Sequence, residues 1–179
     1  MSCSSKKPIL IPENVSIQIL KQEVQINGKY GILVKKFLPS IRFFFKENYL
    51  YLENILNNDK KSKSYYGLAK ISIQNMIYGV SNTYTQVLIL QGIGFKFQLL
   101  ENLLIVNVGF THPIKIIVPN YLIVNLDSSI IIRIKGIDKE KVNNFASTIY
   151  NIKPPEPYKG KGIFYEGQQI IRKAGKTRR

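Results

Sequence analysis

The 179-residue chain carries 26 Lys and Arg against 11 Asp and Glu, a formal charge of +15, with 45% hydrophobic residues. This supports one ordinary domain or two small ones, and the charge favours phosphate-bearing partners or an anionic membrane surface. The single cysteine, Cys3, excludes an internal disulfide, and apolar runs such as Leu103 to Val108 fall far short of the ~20 residues of a membrane helix.

The first residues lack the long apolar core of a secretory signal, so the chain is expected to work in the compartment where it is made. From Val15 to Ile19 apolar and polar residues alternate with period two, the pattern of a half-buried strand. Val24 to Ile26 continues it, Asn27-Gly28 is a turn signal, and Gly31 to Phe37 follows as a partner strand. Arg42 to Lys46 and Tyr49 to Glu53 form another pair about Glu47-Asn48, and the polar run Asn57 to Ser64 reads as a solvated loop. From Ser64 the period changes. Tyr66, Ala69, Ile73, Met76 and Ile77 share one helical face, with Gly79 placed to end the helix.

Strands then return at Val87 to Leu90, Phe95 to Leu99, Leu103 to Val108, Ile114 to Val118, Leu122 to Leu126 and Ile130 to Lys135. Asp138 starts a second helix with Val142, Phe145, Ala146 and Ile149 as its buried stripe, and Pro154-Pro155 stops it. Strands followed by a helix, twice over, read as an internal duplication. Val24 to Gly28 is set against Val106 to Gly109, and Asn48 to Leu52 against Asn120 to Val124. The fold class is α+β, two tandem duplicated domains, each a small antiparallel sheet packed on one helix. The domains are expected at 1–80 and 81–152, their junction near Gly79 to Tyr84, and 153–179 is an extended basic tail belonging to neither.

In that tail eight basic residues stand against Glu156 and Glu166, a net +6. Three prolines forbid helix, Gly160 and Gly162 allow close backbone approach, and Tyr158 offers a flat face between cations. This combination suits RNA. Lys153, Lys159, Lys161, Arg172, Lys173, Lys176, Arg178 and Arg179 supply charge for phosphates, and Tyr158 either stacks on RNA or packs on the sheet. Lys96, beside Gly92-Ile93-Gly94, is placed to reach a further phosphate. No other chemistry assembles. His112, the only histidine, has neither metal-ligand company nor a visible triad, and Gly175-Lys176-Thr177 lacks the rest of a phosphate-binding loop. A free RNA chaperone, an enzyme on acidic substrates and a peripheral membrane protein are the rival classes. The empty catalytic inventory disfavours the enzyme, and the lack of a basic amphipathic helix disfavours the membrane.

Pro155 to Ile163, Ile171 to Thr177, Gln91 to Phe95 with Gly109 to Pro113, and Asn75 to Val80 together resemble the large-ribosomal-subunit protein L-six family in its bacterial and organellar form. The likeness extends to Pro8 to Val15. Three positions depart from it: Phe164 and Ile171 replace basic residues, and Thr83 stands where a glycine is common. The resemblance implies a non-enzymatic large-subunit component without cofactor, metal, membrane or small-molecule substrate. It further implies that the second domain and tail bind ribosomal RNA near the factor-binding region and its sarcin-ricin loop. Neighbouring ribosomal proteins and translation factors would lie close by, and the first domain would face outward. With 28 Ile and 15 Asn against three Ala, codon bias points to a low-GC, organelle-encoded gene. A mitochondrial ribosome is the first expectation, with plastid or bacterial cytoplasm as alternatives.

Overall fold

The structure is a computed structural model and describes residues 8–55 and 60–175. Along the chain run strands β1 (Ile9–Leu10), β2 (Ser16–Leu20), β3 (Glu23–Gly28), β4 (Gly31–Lys36), β5 (Ile41–Lys46) and β6 (Tyr49–Asn54), then helix α1 (Lys60–Asn82). There follow β7 (Tyr84–Gln91), β8 (Lys96–Leu100), β9 (Leu103–Asn107), β10 (Ile114–Ile117), β11 (Leu122–Ser128), β12 (Ile131–Gly136), helix α2 (Lys139–Tyr150) and β13 (Gly162–Tyr165). They form two compact units. One ends at Thr83 and takes in Ile137–Lys139; the other runs from Tyr84 through Gly136 and resumes at Glu140.

The first unit holds two antiparallel sheets, β1-β6-β5 and β2-β3-β4. Helix α1 packs on β3, β4 and β6. Alternation explains the core: Val24 and Ile26 of β3, Ile41 of β5 and Leu50 of β6 point inward, against Ala69, Ile73, Met76, Ile77 and Val80. The second unit repeats this with β10-β9-β8 and β11-β12-β7-β13. Its core joins Leu88, Leu104, Val106, Ile132 and Ile134 to Val142, Phe145, Ala146 and Ile149 of α2, the stripe read from the sequence.

The topology makes the duplication explicit. Strands β1 to β6 correspond in order to β7 to β12, and each series ends in its helix. Two expectations change in detail. Each repeat has two small sheets rather than one. The Asn48 and Asn120 segments, aligned in sequence, precede β6 and β11, which are not equivalent strands; β6 answers to β12.

Local expectations shift too. Asn27-Gly28 is the end of β3, with Gly28 paired to Gly31, and the loop is Lys29-Tyr30. Gly28 is needed for proximity: a Cβ there would lie 2.7 Å from Val80 Cγ2 and 2.9 Å from its carbonyl oxygen. The polar run after Ile55 is helical from Lys60, and residues 57–59 of it lie outside the described residues. Helix α1 passes Gly79, which is buried, and stops at Asn82. The Thr83 amide donates to Gly79 O at 3.0 Å while Thr83 itself adopts φ 58°. This left-handed position after the helix favours glycine, and a β-branched residue there carries a cost of about 1–2 kcal/mol. Thr83→Gly is therefore expected to stabilise the protein by about 1 kcal/mol, after the offset from a freer unfolded chain. Urea denaturation measures it; a lowered midpoint would contradict the strain.

Candidate nucleic-acid interface

The segment after α2 turns back into the second unit instead of standing outside both repeats. Gly162, Ile163, Phe164 and Tyr165 pair antiparallel with Gln91, Leu90, Ile89 and Leu88 of β7, and Ile163 is fully buried. The sequence favours this because Ile163 is an apolar β-branched residue in a polar stretch, with an aromatic pair after it. The Tyr165 ring stacks on Tyr150 of α2 at 4.9 Å between centroids. Burial pushes the Tyr165 phenol above its usual range, the Tyr150 phenol adds to this, and a hydrogen bond with Ser147 opposes it. Gln168 closes the end, accepting from the Tyr165 amide at 3.1 Å and donating to Tyr150 Oη at 3.3 Å.

Between α2 and β13 the chain makes a clamped loop. The Ile163 amide donates to Lys153 O, the Glu156 amide to Lys161 O and the Gly160 amide to Glu156 O, each at 2.9 Å. Further on, the Lys173 amide donates to Pro157 O, also at 2.9 Å, bringing the last described basic residues back onto the loop. These bonds gather Lys159, Lys161, Arg172 and Lys173 on one feature, where Tyr158 is 55% exposed. Tyr158 therefore does not pack on the sheet, one of its two expected roles. Lys176, Arg178 and Arg179 fall outside the described residues.

Gly160 and Gly162 change role. Both are buried, so they do not offer backbone to a ligand. Gly162 has φ 146°, and a Cβ there would lie 2.7 Å from Pro155 Cα, 2.8 Å from Pro154 O and 2.9 Å from Lys153 O. Gly160 has φ 66°, and its Cβ would lie 3.1 Å from Arg172 Nε and Nη2. One glycine lets two backbone segments touch and the other seats a guanidinium.

The register Gln91↔Gly162 sets the turn Gly92–Phe95 beside the start of β13. In this turn Phe95 folds over both Gly92 and Gly109, whose Cβ positions would lie 2.6 Å and 3.1 Å from its ring. The sequence motifs Gln91 to Phe95 and Gly109 to Pro113 thus meet around one ring. Ile93 at the turn's tip is 93% exposed. Beside Gly109, Phe110 carries Lys153 Nζ at 5.0 Å from its ring centroid, a cation–π contact. Phe110 and Ile93 were missed from the sequence. The link from Lys153 to Phe110 is long-range and leaves no local pattern. Lys96 is exposed at the start of β8, opposite Asn107 of β9, in the other sheet of this unit. His112 is exposed, and no metal-ligating cluster exists among the described residues.

A profile of the family described as Ribosomal protein L6 matches residues 91–166, from the Gly92–Phe95 turn to just past β13. The large ribosomal subunit protein uL6 of Dictyoglomus thermophilum is 41% identical over 178 residues, covering 99% of this chain and 98% of its own. The plastid-type uL6c of Phaeodactylum tricornutum is 38% identical, covering 99% of each. The uL6 of Prochlorococcus marinus is 36% identical, covering 99% of this chain and 98% of its own. The chain belongs to the ribosomal protein L6 family. Members of this family are structural, non-enzymatic proteins of the large ribosomal subunit, and so is this chain. The profile takes in the clamped loop entire, so the family's common segment includes the feature that gathers Lys159 and Lys161.

The two glycines differ in tolerance. Gly162→Ala, blocked by backbone on three sides, is expected to cost about 2–4 kcal/mol. Gly160→Ala meets only a movable Arg172 side chain and is expected to cost about 1–2 kcal/mol, from its φ. Equal losses in chemical denaturation would contradict this account of the loop.

Proposed function

We propose that the second unit binds large-subunit ribosomal RNA through the clamped loop and the surface beside it. Lys159, Lys161, Arg172 and Lys173 neutralise phosphates, Tyr158 stacks on a base or ribose, and Lys153 lies on the rim with Phe110. Lys96 takes a phosphate at the edge of the neighbouring sheet, and Lys176, Arg178 and Arg179 extend the contact. The observation that carries this reading is the set of backbone hydrogen bonds from Glu156 to Lys161 and from Lys173 to Pro157, which hold four cations and an exposed tyrosine together before any ligand arrives. Contacts of this kind read the shape and phosphates of folded RNA, since side chains cannot enter the deep major groove of A-form duplex. The family resemblance supports a position near the factor-binding region and its sarcin-ricin loop, with translation factors as neighbours.

Composition supports an organelle-encoded ribosomal protein. The plastid uL6c relatives favour a plastid over the mitochondrion first expected. Mass spectrometry of large subunits purified from the two organelles separately is expected to find its peptides in the plastid particle; peptides confined to the mitochondrial one would reverse the assignment.

Deleting 153–179 would remove β13 and the buried Ile163, so substitution is the cleaner probe. The combined change Lys159→Ala, Lys161→Ala, Arg172→Ala and Lys173→Ala should weaken binding to ribosomal RNA fragments. It should also flatten the dependence of log affinity on log salt by roughly 3.6, at about 0.9 for each of the four lost phosphate contacts. An unchanged slope in the folded variant would refute the assignment.

A further inference from the structure

The first unit carries a surface of another kind. In the β1-β6-β5 sheet the register sets Leu10 opposite Tyr49, Lys46 opposite Tyr49, Phe44 opposite Tyr51, and Arg42 opposite Glu53. Ile9, Ile41, Phe43, Leu50 and Leu52 alternate with these and belong to the core side. The outer face therefore displays Leu10, Arg42, Phe44, Lys46, Tyr49, Tyr51 and the exposed Glu53 together. Leu10 is 59%, Phe44 45% and Tyr49 38% exposed. The rings of Phe44 and Tyr51 lie nearly parallel, 8° apart, with centroids at 5.3 Å. Arg42 and Lys46 flank Phe44 on its own strand, and neither forms an ion pair among the described residues. At ~3.3 Å per residue the two cations bracket about 13 Å of sheet, room for two stacked bases.

The fold does not demand these aromatics. At the equivalent place in the second unit, where Phe44 faces Tyr51 here, Asn125 faces Arg133. Arg133 is occupied there by Asp127, its Nη2 at 2.6 Å from Oδ2, and that face holds no aromatic ring on β11 or β12. One repeat closes its outer sheet face with an ion pair. The other leaves flat rings between Lys46 at one end and Arg42, opposite Glu53, at the other.

We propose that the outer face of the β1-β6-β5 sheet is a stacking platform for single-stranded RNA, separate from the basic loop of the second unit. The parallel Phe44 and Tyr51 rings receive bases, Tyr49 and Leu10 widen the apolar floor, and Arg42 and Lys46 meet the phosphates. RNA is favoured over a protein partner because the floor is aromatic, every ring accepts any base, and two cations stand on the face against the single acid Glu53, which faces Arg42.

The test uses the full-length chain and a fluorescein-labelled single-stranded uridine octamer, in a background carrying the four alanine substitutions of the basic loop, so that the two surfaces fail or succeed separately. Phe44→Leu with Tyr51→Leu removes the π-faces while keeping apolar volume, and should weaken octamer binding roughly tenfold or more with little change in salt slope. Lys46→Ala should instead flatten the slope by roughly 0.7, the single-strand value per contact. Ultraviolet cross-linking of the octamer to the chain with Phe44 and Tyr51 intact, mapped by peptide mass spectrometry, is expected to mark Phe44, Tyr49 or Tyr51 and does not depend on a variant folding. Undiminished binding by the folded leucine variant would overturn the proposal, as would cross-links confined to the second unit. Loss of a neighbouring protein from reconstituted subunits, with octamer binding intact, would assign the face to protein instead and overturn it equally.

Discussion

Burial of Ile163 beside β7 constrains everything that follows α2. With its amide donated to Lys153 O, the chain between these two residues must turn away and come back within ten positions. Such a path requires a residue that tolerates φ 146° against three backbone atoms, which is why a glycine stands at Gly162. It also requires a reversal, supplied by the prolines at Pro154, Pro155 and Pro157 and by Gly160 in the left-handed region. The basic residues are then gathered as a consequence of a packing event. Their chemistry is on the surface, but their geometry is set from inside.

The duplication shows the same constraint from the other side. β1 and β7 are equivalent strands, and both would offer an edge for pairing. In the first unit β1 is only Ile9–Leu10, a short edge with little to template. In the second, β7 spans Tyr84–Gln91, and β13 covers part of its far side. A long edge needed a covering strand, and the strand that covers it carries the basic loop at its entrance.

Much of the fold was legible because burial leaves a period. Val142, Phe145, Ala146 and Ile149 announce α2, and the alternation in β2, β3, β8 and β9 announces the strands. Turns were harder. Lys21, Glu47 and Glu101 each enter a tight loop at φ between 52° and 56° without glycine, and turn chemistry gives no warning of that. Glycines misled in the opposite sense. Gly28 and Gly162 looked like turn or ligand-approach residues and are places where this chain touches itself. For the candidate interface, charge identified Lys159, Lys161, Arg172 and Lys173, while Phe110 under Lys153 depended on a contact between distant segments.

A loop held this way differs physically from a flexible basic end. A disordered tail pays its ordering entropy at the moment of binding, and that cost is taken from affinity. Here the bonds among Lys153, Glu156, Pro157, Gly160, Lys161, Ile163 and Lys173 meet most of it during folding. The same bonds hold like charges closer than a free chain would keep them, with Glu156 as the acid within the loop itself. That repulsion is relieved when phosphates approach, so the free energy stored in crowding the cations adds to the attraction for a polyanion. Neutral or basic ligands relieve nothing. In the proposed RNA contact, rigidity and charge would therefore act in one direction, favouring polyanions whose phosphates match the spacing the loop has already fixed.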